Sequence, residues 1–132
     1  MRRLPGAEQD SQYCRNSDGA LGITRDGSFA EYEVVDGREC CILPDNLSFE
    51  STEPLACMGI TVWGGLVRVG LKSEESVAIV GGGGGLGHLG IQFAKALGLV
   101  AIGIDARDEG LQVAKDYGAD MVIRCAAEKG GC

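Results

Sequence analysis

A run of five glycines at positions 81–85 directly follows the short apolar run Ser76–Val80 and precedes a helical pattern. An unbroken apolar run of this kind predicts a strand that is buried on both faces of a sheet. From Leu86 to Leu97 the apolar residues recur at the three- and four-residue spacing of a helix lying on a sheet. A strand, a glycine turn and a helix in this order predict the opening of a βαβ unit.

The alternation continues beyond this helix. The apolar run at 99–104 ends at Asp105 and predicts a second strand, a shorter helix is predicted from about Glu109, and residues 121–123 predict a third strand. Strands that alternate with helices are typical of a parallel sheet. We therefore expect an α/β fold with a partial Rossmann unit, the first βαβαβ half, over residues 71–132.

The part of the chain before this unit has a different pattern. Residues 1–27 are polar and irregular, whereas 29–35 and 41–43 predict short antiparallel strands between turn-rich segments. A helix is predicted to begin near Ser51 or Thr52, with Pro54 in its first turn, where a missing N–H costs nothing. The expected organisation is thus residues 1–50, a connecting helix at 51–70, and the unit at 71–132.

Composition excludes several classes of partner. A formal charge of −7 argues against a nucleic-acid or anionic-membrane surface. No apolar run approaches the roughly 18 residues of a membrane span, and no apolar stretch follows the basic residues at the start. We therefore expect a cytoplasmic protein whose six cysteines are reduced thiols or metal ligands, although no CxxC pair is present.

Residues 82–87 satisfy the pattern G-x-G-x-x-G, and Asp105 follows Gly82 by 23 positions. In such a site the first glycine permits a tight turn, the second lets the backbone approach a pyrophosphate, and the third lets the helix pack closely. The cofactor-binding residues predicted here are Gly82, Gly83, Gly84, Gly85, Leu86, Gly87 and Asp105. A carboxylate at Asp105 would hold the adenosine ribose and repel a 2′-phosphate, which favours NAD, although Arg107 keeps NADP open. The alternative is a glycine-rich turn that binds no ligand.

Residues 82–98, 100–105 and 55–63 resemble the medium-chain, zinc-dependent alcohol dehydrogenases, especially the tetrameric NAD-dependent type of fungi and bacteria. Residues 26–32 are similar to the stretch where that family re-enters its catalytic domain. The resemblance implies a remnant of a mostly-β GroES-like catalytic domain before the Rossmann unit. It also implies NAD and zinc as cofactors, a small-molecule alcohol or aldehyde substrate, and assembly into a homo-oligomer.

The resemblance implies particular roles as well. Cys57 matches a catalytic zinc ligand, Thr61 a residue that packs against the nicotinamide, and Cys14 the last of four structural-zinc cysteines. The other zinc ligands of the family have no counterpart here. His88 lies where relatives commonly carry a non-ligand residue, so we expect it at a solvent-facing helix position and not as a zinc ligand. We therefore expect a central fragment without zinc or activity of its own. Two alternatives are a zinc-free medium-chain reductase of the quinone or enoyl type that uses NADPH, and a non-catalytic nucleotide-binding fragment.

Overall fold

The structure is a computed structural model that describes residues 19–37 and 40–125. The described residues form two compact units, which divide between Leu43 and Pro44. The domain boundaries predicted from the sequence stay predictions, and Cys14 lies outside the described residues. Within the described ranges, no helix has the length and apolar character needed to cross a membrane.

The first unit contains none of the strands predicted for it. Over its described residues the backbone is irregular, with one isolated bridge between Leu21 and Arg25. The strands predicted at 29–35 and 41–43 are therefore wrong, and the GroES-like remnant is not confirmed. The large apolar side chains that suggested them are exposed, namely Phe29, Tyr32, Val34 and Ile42. Alternation marks which side chains a sheet would bury, but it does not supply the partner strands that make a sheet stable. A cavity of about 360 Å³ in this unit is lined by none of the predicted site residues.

The second unit opens with a helix in three parts: α1 at Phe49–Pro54, a π-helical turn at Leu55–Gly59, and α2 at Ile60–Val69. The helix begins before the predicted Ser51 or Thr52 because the Ser48 hydroxyl accepts a hydrogen bond from the Ser51 amide at 3.2 Å. Pro54 lies at the end of α1 and not in its first turn. Since proline lacks an N–H and clashes with the preceding turn, regular α-helical bonding stops here and the wider π turn follows.

The predicted alternation of strands and helices is confirmed. The elements are β1 at Ser76–Val80, α3 at Gly85–Ala96, β2 at Val100–Asp105, α4 at Asp108–Asp116 and β3 at Met121–Arg124. All pairings are parallel and the strand order is β1-β2-β3. This is the arrangement of the first half of a Rossmann fold, in which the carboxyl ends of β1 and β2 meet at one edge of the sheet.

Within the described residues of the second unit, helices cover one face of this sheet. The buried apolar core lies between the sheet, α2, α3 and α4, and comprises Leu66, Ile91, Ala94, Leu99, Ala101 and Ala114. On the opposite face Val80 is 74% exposed and Met121 is 56% exposed. The prediction that β1 is buried on both faces is therefore wrong. Successive right-handed crossovers that move in one direction across a sheet place α3 and α4 on the same face, so neither helix covers the other face.

Candidate dinucleotide-binding site

The glycine turn between β1 and α3 is tied to the end of β2. The amides of Gly81 and Gly82 both donate to the carbonyl oxygen of Ile104, at 2.7 and 3.0 Å. Gly81 has a φ of +72°, a left-handed conformation that favours glycine. The tight turn thus depends on Gly81, one position before the glycine to which the sequence pattern assigns it. Its signal in the sequence is that it directly follows the strand.

The first turn of α3 presents backbone amides without partners inside the helix. The N-cap is Gly84, which has no side chain to cap the helix, and the first helical bond runs from the His88 amide to the Gly84 carbonyl at 3.0 Å. The preceding amides, those of Gly85, Leu86 and Gly87, have no intrahelical acceptor. Together with the positive end of the helix dipole, such amides favour a phosphate or another anion.

At two positions of this turn region the backbone comes so close to another backbone segment that only glycine fits. A Cβ on Gly87 would overlap the Gly81 carbonyl oxygen and lie 2.7 Å from the carbonyl carbon. A Cβ on Gly83 would likewise overlap the backbone of Gly110, in the first turn of α4. The glycine pattern does not include Gly110, whose only signal in the sequence is a glycine in a helical turn where alanine would form a better helix. The turn therefore lies directly between the first turns of α3 and α4.

Asp105, the last residue of β2, faces this turn. The residue is 6% exposed, and its Oδ2 accepts a hydrogen bond from the Gly83 amide at 3.2 Å. Hydrogen bonds from the Arg107 side chain, then from the Arg107 and Gly83 amides, lower the pKa of Asp105 to about 2 against the opposing effect of burial. The carboxylate is thus negatively charged throughout the neutral range and lies beside the predicted phosphate loop.

The side chain of Arg107 covers the Asp105 carboxylate from the solvent side. Its Nε donates to Oδ1 at 3.2 Å and its Nη2 donates to Oδ2 at 3.3 Å. The Arg107 amide also donates to Oδ1, at 3.0 Å. The Arg107 side chain is 63% exposed, so the ion pair joins an exposed guanidinium to a buried carboxylate.

The predicted zinc ligand Cys57 and the predicted nicotinamide neighbour Thr61 lie on the three-part helix that opens the second unit. Cys57 is exposed on the π-helical turn, and the Thr61 hydroxyl donates to the Cys57 carbonyl at 2.8 Å. The Met58 sulfur would lie 3.3 Å from a Cβ on Gly85, which places this turn beside the start of α3. Across residues 19–37 and 40–125, no three His, Cys, Asp or Glu side chains are grouped to hold a metal. A catalytic zinc needs three protein ligands, so the described residues do not fit one.

His88, which the sequence predicts at a solvent-facing helix position, is half-buried. Its Nδ1 lies 2.9 Å from the Gly84 carbonyl oxygen, and its ring packs on Tyr117 with the ring centroids 4.9 Å apart. This residue joins the first turn of α3 to the end of α4, which is a packing role.

The sheet order and the helix placement define the class: this is a Rossmann-type α/β unit of the kind found in medium-chain dehydrogenases. No family model matches the chain. It is 45% identical over 102 residues to an alcohol dehydrogenase of Geobacillus stearothermophilus, covering 77% of this chain and 30% of that protein. It is 41% identical over 114 residues to an NAD-dependent alcohol dehydrogenase of Sulfolobus acidocaldarius, covering 86% and 33% respectively.

Solved structures give the same relationship. The alcohol dehydrogenase of Aeropyrum pernix matches with a TM-score of 0.72 at 34% identity, over 86% of this chain and 34% of that one. The quinone oxidoreductase of Escherichia coli, solved with NADPH, matches with a TM-score of 0.61 at 34% identity, over 67% of this chain and 27% of that one. The chain is related to the NAD-dependent alcohol dehydrogenases and spans about a third of the length of the curated relatives it matches.

Proposed function

We propose that this chain binds the adenosine and pyrophosphate portion of NAD at residues 82–87 and Asp105. The observation that carries the proposal is the contact between the Asp105 carboxylate and the Gly83 amide at 3.2 Å. This contact places a fixed negative charge beside a helix start whose amides are available to an anion. The ribose hydroxyls would donate to Asp105, and the pyrophosphate would accept hydrogen bonds from the first amides of α3.

The reaction class follows from the relatives. We propose that the chain is part of an oxidoreductase that transfers a hydride between NAD and a small alcohol or its aldehyde or ketone. NAD, when bound, supplies the hydride acceptor, while residues 82–87 and Asp105 would hold and orient its adenosine end. The names of the relatives and the negative charge at Asp105 support NAD over NADP.

Zinc enters this proposal only as an expectation from the resemblance. Cys57 would supply one thiolate and Cys14 would belong to a separate structural site, but the described residues do not group three His, Cys, Asp or Glu side chains around Cys57. We therefore propose that the chain by itself retains no zinc. We also propose, from the resemblance, that Thr61 packs against the nicotinamide. The cytoplasmic location and assembly into a homo-oligomer also stay predictions.

A second candidate is a medium-chain reductase that uses NADPH. It is favoured by the match to the quinone oxidoreductase solved with NADPH, and by the guanidinium of Arg107 next to Asp105. Asp105 argues against it, because an ionised and almost buried carboxylate would face the 2′-phosphate. The non-catalytic nucleotide-binding fragment differs from the first proposal only in activity and not in the site.

Calorimetric titration of the 132-residue chain with NAD tests the binding proposal. We expect saturable one-to-one binding that ADP-ribose displaces and nicotinamide mononucleotide does not, because residues 82–87 and Asp105 would contact only the adenosine and pyrophosphate portion of NAD. The assignment would be contradicted if nicotinamide mononucleotide displaced NAD and ADP-ribose did not, or if the chain bound no NAD at all. With ethanol and NAD we expect no NADH absorbance and no zinc in the dialysed protein. Turnover by the purified chain would show that it is more than a binding fragment.

A further inference from the structure

We infer that Arg124 allows the proposed site to accept a pyrophosphate, by neutralising the carboxylate of Asp108 at the start of α4. This inference rests on the proposed function and concerns the same site. Arg124 is the last residue of β3 and lies outside both the glycine pattern and the end of β2. It acts through Asp108 and not by touching the cofactor, so it is a positioning residue.

The guanidinium of Arg124 joins the end of β3 to the start of α4. The sheet register places Arg124 opposite Asp105. Its Nη1 donates to the carbonyl oxygen of Ala106 at 3.2 Å, and its Nη2 forms an ion pair with Oδ1 of Asp108. Because the backbone hydrogen bond already holds the guanidinium, the ion pair with Asp108 costs less side-chain entropy than an ordinary surface pair.

The start of α4 lies against the predicted phosphate loop. A Cβ on Gly83 would overlap the backbone of Gly110, and Asp108 precedes Gly110 by two residues in the same helical turn. The side chains of Asp108 and Arg124 are 82% and 52% exposed. At about 0.1 M salt, exposed charges still interact over about 10 Å, so an unpaired Asp108 would repel a pyrophosphate on this loop.

Arg107 alone does not balance the acidic side chains of this region, which are Asp105, Asp108 and Glu109. The hydrogen bond and charge of Asp105, and after them the charge of Glu109, raise the pKa of Arg107, so its guanidinium already serves these two carboxylates. Arg124 pairs with the third, that of Asp108. Among these residues, the loss of Arg124 would leave three carboxylates and one guanidinium beside a doubly charged pyrophosphate.

Calorimetry of ADP-ribose binding to the full chain at two salt concentrations tests this role. At about 0.1 M salt, Arg124→Ala should bind about fourfold more weakly than the wild type, because the two phosphate charges meet an unpaired carboxylate. At about 1 M salt the screening length falls to about 3 Å, so the two proteins should agree within about 1.5-fold. Arg124→Lys should keep most of the affinity at both concentrations, because it keeps the charge.

Asp108→Asn provides the second arm of the test. Alone, it should bind ADP-ribose at least as tightly as the wild type, and in the double variant Arg124→Ala/Asp108→Asn it should restore the affinity that Arg124→Ala loses. A purely structural role of Arg124 would produce neither this rescue nor the salt dependence. Weaker binding by Asp108→Asn alone would therefore contradict the inference.

Lys115→Ala is the matched control, since it removes one positive charge from the last turn of α4, about 10 Å along the helix from Asp108. It should bind like the wild type at both salt concentrations, and a loss equal to that of Arg124→Ala would show an effect of net charge alone. Wild-type affinity in Arg124→Ala, a loss that persists at high salt, or no rescue would overturn the inference while the proposed function stands. If the wild-type chain binds no ADP-ribose, both fail together.

Discussion

Replacing Gly87 with alanine should lower the free energy of unfolding of the second unit by about 3 kcal/mol, the upper end of the usual range for overpacking. The new Cβ would overlap the Gly81 carbonyl oxygen and lie 2.8 Å from the Gly82 Cα. Both neighbours are backbone atoms in a turn fixed by two hydrogen bonds to Ile104, so neither can move aside as a flexible side chain would. Urea denaturation followed by circular dichroism measures the loss.

The control for this variant is Gly64→Ala in α2. A Cβ at Gly64 meets no atom within 4 Å, and the position is exposed in the middle of a helix. Because alanine forms helix better than glycine, this variant should stabilise the unit by about 1 kcal/mol. The same substitution would then have opposite signs at two helical glycines. Equal effects at Gly87 and Gly64 would show that the close approach of α3 to the turn is not real.

Gly87→Ala should also weaken NAD binding if the proposed site is correct. The new Cβ would move the start of α3 away from the glycine turn at 81–84. The amides of Gly85 and Leu86, which would donate to the pyrophosphate, would move with it. Calorimetry at a temperature where the variant is still folded separates this effect from the loss of stability.

The sequence was a good guide to the second unit because its signals there are local. Each strand is a short apolar run and each helix has an apolar stripe, with a glycine of positive φ after α3 at Gly98 and after α4 at Gly118. Such patterns follow from backbone geometry and burial over ten to fifteen residues, so they survive without knowledge of the rest of the chain. The handedness of the two crossovers then places α3 and α4 on the same face of the sheet, given the strand order β1-β2-β3.

The predictions that were wrong concern segments whose burial depends on strands or helices distant in the sequence. The pattern of β1 predicts apolar neighbours on both faces, but Val80 is exposed, and among the described residues of the second unit the covering helices lie on the other face of the sheet. The alternation at 29–35 fails for the same reason, since no strand pairs with it among the described residues. Periodicity specifies what a segment would bury and not whether a partner is available.

The candidate site was predictable in part. The pattern at 82–87 and the spacing to Asp105 identified the residues that the structure brings together through the Gly83 amide. The contact between Gly83 and Gly110, and the two side-chain hydrogen bonds from Arg107, could not be predicted. They depend on how closely α4 approaches the turn, a distance in space that sequence spacing does not encode.

Asp105→Asn should reduce NAD binding by about tenfold or more, because hydrogen bonds to a charged acceptor contribute roughly 1.5–3 kcal/mol. Asparagine keeps the shape of the side chain but offers one acceptor oxygen, so its amide group would face a donor, either the Gly83 amide or the Arg107 guanidinium. The loss should be smaller for NADP, since the repulsion of the 2′-phosphate disappears with the charge. The preference for NAD over NADP should therefore narrow, as measured by calorimetric titration with each cofactor.

Asp120→Asn separates this effect from a general loss of stability. Asp120 has the same kind of role at the opposite end of β2: its Oδ2 accepts from the Ala101 amide at 2.7 Å, and the carboxylate pairs with Lys95. Both variants lose a carboxylate that accepts from backbone, so both should lower the thermal unfolding temperature. Only Asp105→Asn should change the ratio of the two cofactor affinities, because Asp120 lies at the end of the strand away from the glycine turn. A shift of the ratio in both variants, or in neither, would mean that Asp105 supports the fold and does not bind the ribose.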